Sequence, residues 1–71
     1  MSAALKVFIN VRYVTKRDRT RVIVCDLVAR GTGGVLYTTP QTLSRANAID
    51  RARKAITRRG YTDTSRADLD A

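Results

Sequence analysis

The sequence contains no histidine, no tryptophan and no glutamate, and it has a single cysteine among its 71 residues. A disulfide within the chain needs two cysteines, so Cys25 cannot form one. It lies in the apolar run RVIVCDLVA, residues 21–29, and we expect a small buried side chain in a reducing compartment. Without histidine, a zinc site would need one thiol and carboxylates, so we predict neither a metal nor another cofactor.

The only carboxyl side chains are six aspartates, and three of them fall in the last ten residues. The others, Asp18, Asp26 and Asp50, belong to a turn, a predicted strand and a predicted helix, which gives no paired-carboxylate site. We expect Asp26 to pair with Asn10 or Arg12. The sequence therefore predicts that the protein is not an enzyme.

No apolar stretch approaches the roughly 18 residues of a membrane span, so no membrane association is expected. The first ten residues, MSAALKVFIN, are too short and too regularly alternating for a signal peptide. These features predict a soluble, cytoplasmic protein.

Positive charge dominates, with a net charge of +8 from 14 Lys and Arg against 6 Asp. Residues 1–61 carry thirteen cations and three aspartates, whereas residues 62–71 carry one arginine and three aspartates. A basic body attracts polyanions, and arginine is well suited to phosphate. The alternative explanation is the codon bias of a GC-rich genome, which raises arginine and alanine whatever the function.

Three segments predict strands. LKVFINVRYV, residues 5–14, alternates apolar and polar residues, RVIVCDLVA follows the polar block TKRDRT, and VLYTT, residues 35–39, precedes Pro40. The glycine-rich RGTGG between the last two lacks the Lys-Ser/Thr of a phosphate-binding loop, so we interpret it as a turn. Short connections favour an antiparallel meander.

QTLSRANAIDRARKAITRRGY, residues 41–61, changes to helical periodicity. Ser44 is the expected N-cap and Gly60 the expected left-handed residue after the helix. Leu43 is expected to pack on Ala48 as a hydrophobic staple. The predicted fold is α+β, a three-stranded antiparallel β-meander packed on one C-terminal helix (βββα), with a domain at residues 1–61 and an acidic, disordered tail at 62–71.

One helix cannot cover both faces of a sheet. If Tyr13 pairs with Ile23, apolar residues remain on the far face, and a large exposed apolar patch on a small protein is typical of an interface. The predicted interface residues are Phe8, Val14, Val22, Val24 and Val28. They would serve a homodimer or a host protein partner.

The cations of the hairpin and the helix are the candidate nucleic-acid contacts, because phosphate binding needs several cations near one another. A sheet or hairpin can also enter the major groove of DNA. The candidate residues are Arg12, Lys16, Arg17, Arg19, Arg21, Arg51, Lys54 and Arg58. For the turn alone, a solvated cationic cap that protects the sheet edges is an equal alternative.

The segment VLYTTPQTLSRANAIDRARKAI joins the third predicted strand to the predicted helix. It resembles the corresponding segment in two families of three-stranded DNA-binding domains, the arm-binding N-terminal domain of tyrosine recombinases and the plant ethylene-response type. The resemblance implies that the sheet docks on DNA and assigns contacts to Arg12, Arg17, Arg19, Arg21 and Val24. SRANAIDRARKAI is also similar to the last helix of double-stranded-RNA-binding domains. The size and Arg/Ala bias resemble small accessory proteins of actinobacterial phages.

Two functions therefore remain open. The first is a small basic accessory or regulatory protein that binds DNA, in preference to RNA, through hairpin and sheet arginines. The second is a protein-interaction module, such as a phage-type inhibitor or modulator of a host protein, which would use the exposed apolar sheet face.

Overall fold

The computed structural model describes residues 4–65. This part of the chain contains four strands and one helix, joined by loops. In chain order they are β1 (Lys6–Thr15), β2 (Arg21–Ala29), β3 (Val35–Thr38), α1 (Arg45–Arg59) and β4 (Thr62–Asp63). The sheet order is β3-β2-β1-β4; β2 pairs antiparallel with β1 and β3, and β4 pairs parallel with β1. The predicted meander followed by a helix is confirmed, but βββα is incomplete because a fourth strand follows.

β4 extends the sheet through backbone hydrogen bonds. The Thr62 N–H donates to the Leu5 carbonyl at 2.8 Å, and the Thr64 N–H donates to the Val7 carbonyl at 2.7 Å. β4 therefore lies within residues 62–71, the segment that the sequence assigns to a tail. This short polar segment has no apolar alternation, so its sequence carries no strand signal. Residues 66–71 of the predicted tail lie outside the described residues.

The β1–β2 register places Tyr13 opposite Ile23, as expected, and alternate residues therefore point to opposite faces. On the helix side, strand residues and the small residues of α1 form the core: Val7, Ile9, Cys25, Leu27, Ala48, Ile49, Ala52, Ala55 and Ile56. The prediction that Cys25 is buried is confirmed, because its exposed fraction is 0%. Burial raises the pKa of this thiol.

Local interactions fix both ends of α1. The Ser44 Oγ accepts a hydrogen bond from the Asn47 N–H at 3.2 Å. Gly60 adopts the left-handed conformation with a φ of 72°, and the Tyr61 N–H donates to the Ile56 carbonyl at 3.0 Å. The predicted caps are confirmed. The predicted hydrophobic staple is wrong, because Leu43 is 76% exposed and does not pack into the core.

The β1–β2 hairpin is longer than the helix that covers it. Ten residues of β1 span about 33 Å, whereas the fifteen residues of α1 span about 22 Å. A bridge between Ile23 and Thr42 brings the chain back to the sheet just before α1 begins. From there α1 runs away from the hairpin turn, towards the level where Thr62 pairs with Lys6. The turn end of the hairpin therefore extends beyond the helix.

Candidate nucleic-acid interface

The hairpin tip, residues 15–21, is a tight turn of defined geometry. The Lys16 N–H donates to the Thr20 carbonyl at 2.8 Å, and the Arg19 N–H donates to the Lys16 carbonyl at 3.0 Å. The Asp18 carboxylate accepts a hydrogen bond from the Thr20 N–H at 3.0 Å. These bonds define a three-residue hairpin loop whose last residue is left-handed. The cations of the tip therefore stand on an ordered turn.

Arg19 occupies that left-handed position, with a φ of 69°. It is the one residue other than glycine with a positive φ in residues 4–65. Glycine and asparagine suit this position, because a larger side chain there costs about 1–2 kcal/mol. Backbone strain of this kind is concentrated at functional positions in proteins.

All seven residues of the hairpin tip are exposed to solvent. Within residues 4–65, no ion pair involves Arg17, Arg19 or Arg21. The Thr20 N–H lowers the pKa of Asp18, and the Lys16 charge contributes in the same direction. Asp18 is therefore ionised at neutral pH, and the tip carries four cations and one anion.

Arg12 has a different environment from the tip cations. Its Nε donates to Asp26 Oδ2 at 2.6 Å and its Nη2 donates to Asp26 Oδ1 at 3.1 Å, on the sheet face away from α1. The Thr38 hydroxyl donates to the same carboxylate at 2.7 Å. Burial acts to raise the pKa of Asp26, but the hydrogen bonds from Arg12 and Thr38 outweigh it and the pKa lies below its ordinary value. The predicted pairing of Asp26 with Arg12 is confirmed.

The helix cations Arg51, Lys54 and Arg58 are exposed on the outer side of α1. The Lys54 Nζ lies 3.1 Å from the Asp50 carboxylate, which is the expected i,i+4 pair. Since α1 runs away from the hairpin turn, Arg58 lies about 30 Å from the tip, from about 20 Å of helix and about 10 Å of strand. The predicted nucleic-acid residues therefore form separate groups: the four tip cations, the three helix cations, and Arg12 with Asp26.

The predicted apolar interface is less exposed than the sequence suggests. Val22, Val24 and Val28 are 5%, 4% and 9% exposed, although they lie on the sheet face away from α1. Phe8 and Val14 are half-buried, and the Arg30 guanidinium lies 4.7 Å from the centre of the Phe8 ring. Three of the five predicted interface residues are therefore buried within the chain itself.

Tyr13 is exposed where the sequence indicates burial. Its register puts it on the helix side of the sheet, yet 60% of the residue is exposed. The reason is that α1 begins at Arg45 and does not extend over the turn end of the hairpin. The length mismatch between a ten-residue strand and a fifteen-residue helix is the sequence signal for this exposure.

Within residues 4–65, no group of three or more His, Cys, Asp or Glu side chains is close enough to hold a metal ion. No helix in this part of the chain has the length and apolar character needed to cross a membrane. The outer side of α1 carries an open depression lined by Arg53, Lys54, Thr57 and Arg58, with no carboxylate among them.

No protein-family model matches this chain, and no curated protein or solved structure shows significant similarity to it. The resemblance to three-stranded DNA-binding domains therefore stays a prediction.

Proposed function

We propose that the protein is a small accessory or regulatory DNA-binding protein, without chemistry of its own, that contacts DNA through the tip of its β1–β2 hairpin. The observation that supports this function is the hairpin tip, which extends beyond the helix and presents Arg17, Arg19 and Arg21 without ion-pair partners in residues 4–65. Such side chains can approach phosphates without first breaking an internal salt bridge.

The dimensions of the hairpin favour DNA over RNA. Paired strands lie about 4.8 Å apart, and a two-stranded ribbon fits the B-form major groove, which is about 12 Å wide. The major groove of A-form RNA is deep and too narrow for side chains to reach the bases. We therefore expect tighter binding to a DNA duplex than to an RNA duplex of the same sequence.

Electrostatics sets the expected salt dependence. Each phosphate neutralised contributes about 0.9 to the slope of log affinity against log salt. Four tip cations acting on four phosphates give a slope of about −3.6, or about a 150-fold loss of affinity between roughly 50 and 200 mM salt.

Two variants with the same change in net charge test the site. Replacing Arg17, Arg19 and Arg21 with alanine removes three tip cations, and replacing Arg51, Lys54 and Arg58 with alanine removes three helix cations. By fluorescence anisotropy, the hairpin variant should bind a DNA duplex more weakly, with a slope reduced by about 2.7. The helix variant should bind almost as the wild type does. Equal losses in both variants would show that net charge alone drives binding and would refute the hairpin site.

The predicted homodimer and host protein partner stay predictions. Beyond β4, the outer edge of β1 from Val11 to Thr15 pairs with no strand of residues 4–65, and an open strand edge can pair with a second chain. A mass measured by light scattering in the absence of DNA distinguishes a monomer from a dimer.

A further inference from the structure

The helix-side face of the hairpin, between the tip and the start of α1, carries an exposed aromatic side chain beside a cation. Tyr13 is 60% exposed and pairs directly with Ile23. The second pair along towards the turn, Thr15 with Arg21, lies on the same face because side-chain directions alternate along a strand. Arg21 is thus the diagonal neighbour of Tyr13 on the paired strand, and the Cα atoms of such neighbours lie about 7–8 Å apart.

Tyr13 differs from the other two tyrosines. Tyr37 is half-buried, with the Arg59 guanidinium 4.7 Å from the centre of its ring, and Tyr61 packs against the core. Within residues 4–65, no aromatic or cationic side chain stacks on the Tyr13 ring. An open aromatic ring beside an arginine provides both a stacking surface for a base and a charge for the adjacent phosphate.

We propose that Tyr13 stacks on an unpaired DNA base while Arg21 contacts the neighbouring phosphate, so that the preferred ligand is DNA with a single-stranded extension. This inference rests on the proposed DNA-binding function. Bases in a continuous duplex are stacked on each other and do not offer a face, whereas an unpaired base does. The other three tip cations, Lys16, Arg17 and Arg19, lie further along the same hairpin and contact the adjoining duplex. The cations beside Tyr13 attract a negatively charged nucleic-acid strand, whereas they repel a second copy of this chain, which has a net charge of +8.

The test compares a blunt DNA duplex with the same duplex carrying a short single-stranded thymidine extension, by fluorescence anisotropy. In Tyr13→Leu, affinity for the extended DNA should fall about 5- to 150-fold, because stacking on one base contributes about 1–3 kcal/mol. Affinity for the blunt duplex and the salt slope should not change, because no cation is removed. Tyr13→Phe retains the ring and should bind both DNAs as the wild type does.

A second substitution separates stacking from stability. Tyr13→Thr keeps a residue that favours strands, and the thermal midpoint of each variant is measured by circular dichroism before binding is compared. Loss of preference for the extended DNA in both Tyr13→Leu and Tyr13→Thr, with folded protein, supports the inference.

Two negative results have different meanings. Wild-type affinity of Tyr13→Leu for the extended DNA, or an equal loss for both DNAs, overturns the stacking role and leaves the proposed function intact. Absence of salt-dependent binding to either DNA by the wild-type protein overturns the proposed function itself.

Discussion

Replacing Arg19 with glycine should change the stability of the fold and its affinity for DNA in opposite directions. The left-handed φ of 69° costs a residue with a side chain about 1–2 kcal/mol, and glycine removes that cost. Greater freedom of glycine in the unfolded chain offsets about 0.5–1 kcal/mol of the gain. A net stabilisation of about 0.5–1 kcal/mol raises the melting temperature by about 2–8 °C for a domain of this size.

The same substitution removes one tip cation, so the salt dependence of DNA binding should fall by about 0.9 in slope. Arg17→Ala is the matched control, because it removes a cation at a position without a left-handed φ. It should reduce the slope equally without raising the melting temperature. A lower melting temperature for Arg19→Gly would refute the strained turn, and an unchanged slope would refute the phosphate contact.

Three further predictions concern the fold. Leu27→Ala should lower the free energy of unfolding by about 2–5 kcal/mol, since Leu27 is fully buried. Small domains have only about 3–5 kcal/mol of stability, so circular dichroism should show largely unfolded protein. A melting curve like that of the wild type would contradict the position of Leu27 in the core. Gly60→Ala should lower the free energy of unfolding, measured by denaturant titration, by about 1 kcal/mol because the φ of Gly60 is 72°. Gly31→Ala should change it little, because Gly31 has open space around its Cα and no left-handed φ. The lowered pKa of Asp26 means that its contribution to stability is present above the ordinary carboxyl pKa of about 3.9 and is lost as the pH falls through the lower folded value. Arg12→Gln should therefore shift acid unfolding, followed by circular dichroism, to higher pH; an unchanged acid midpoint would show that the pair is not formed in solution.

Patterns local to one segment predicted most of the fold. The alternation of β1 and β2 and the helical periodicity bounded by Ser44 and Gly60 gave elements that agree with the structure, because each is specified by neighbouring residues. β4 has no sequence signal, since it joins the sheet through backbone hydrogen bonds from Thr62 and Thr64 to the Leu5 and Val7 carbonyls, which almost any residues can make. The pairing of β4 with β1 depends on where in the fold α1 ends, because β4 follows it directly.

The candidate site was less predictable than the fold. The sequence identified the cations of the hairpin tip but grouped them with Arg51, Lys54 and Arg58, because charge counts carry no information on direction along the helix. The exposure of Tyr13 depends on the relative lengths of the strands and the helix. The lengths of the strands and the helix follow from the sequence once the elements are assigned, so the exposed hairpin turn is predictable from the sequence.

The most direct test of the hairpin site is a titration of ¹⁵N-labelled protein with a DNA duplex, followed by amide chemical shifts. We predict that the largest shifts fall on the hairpin tip, residues 15–21, and that amides in the last two turns of α1, about 20–30 Å away, change little. Largest shifts on α1, with the hairpin tip unchanged, would contradict it.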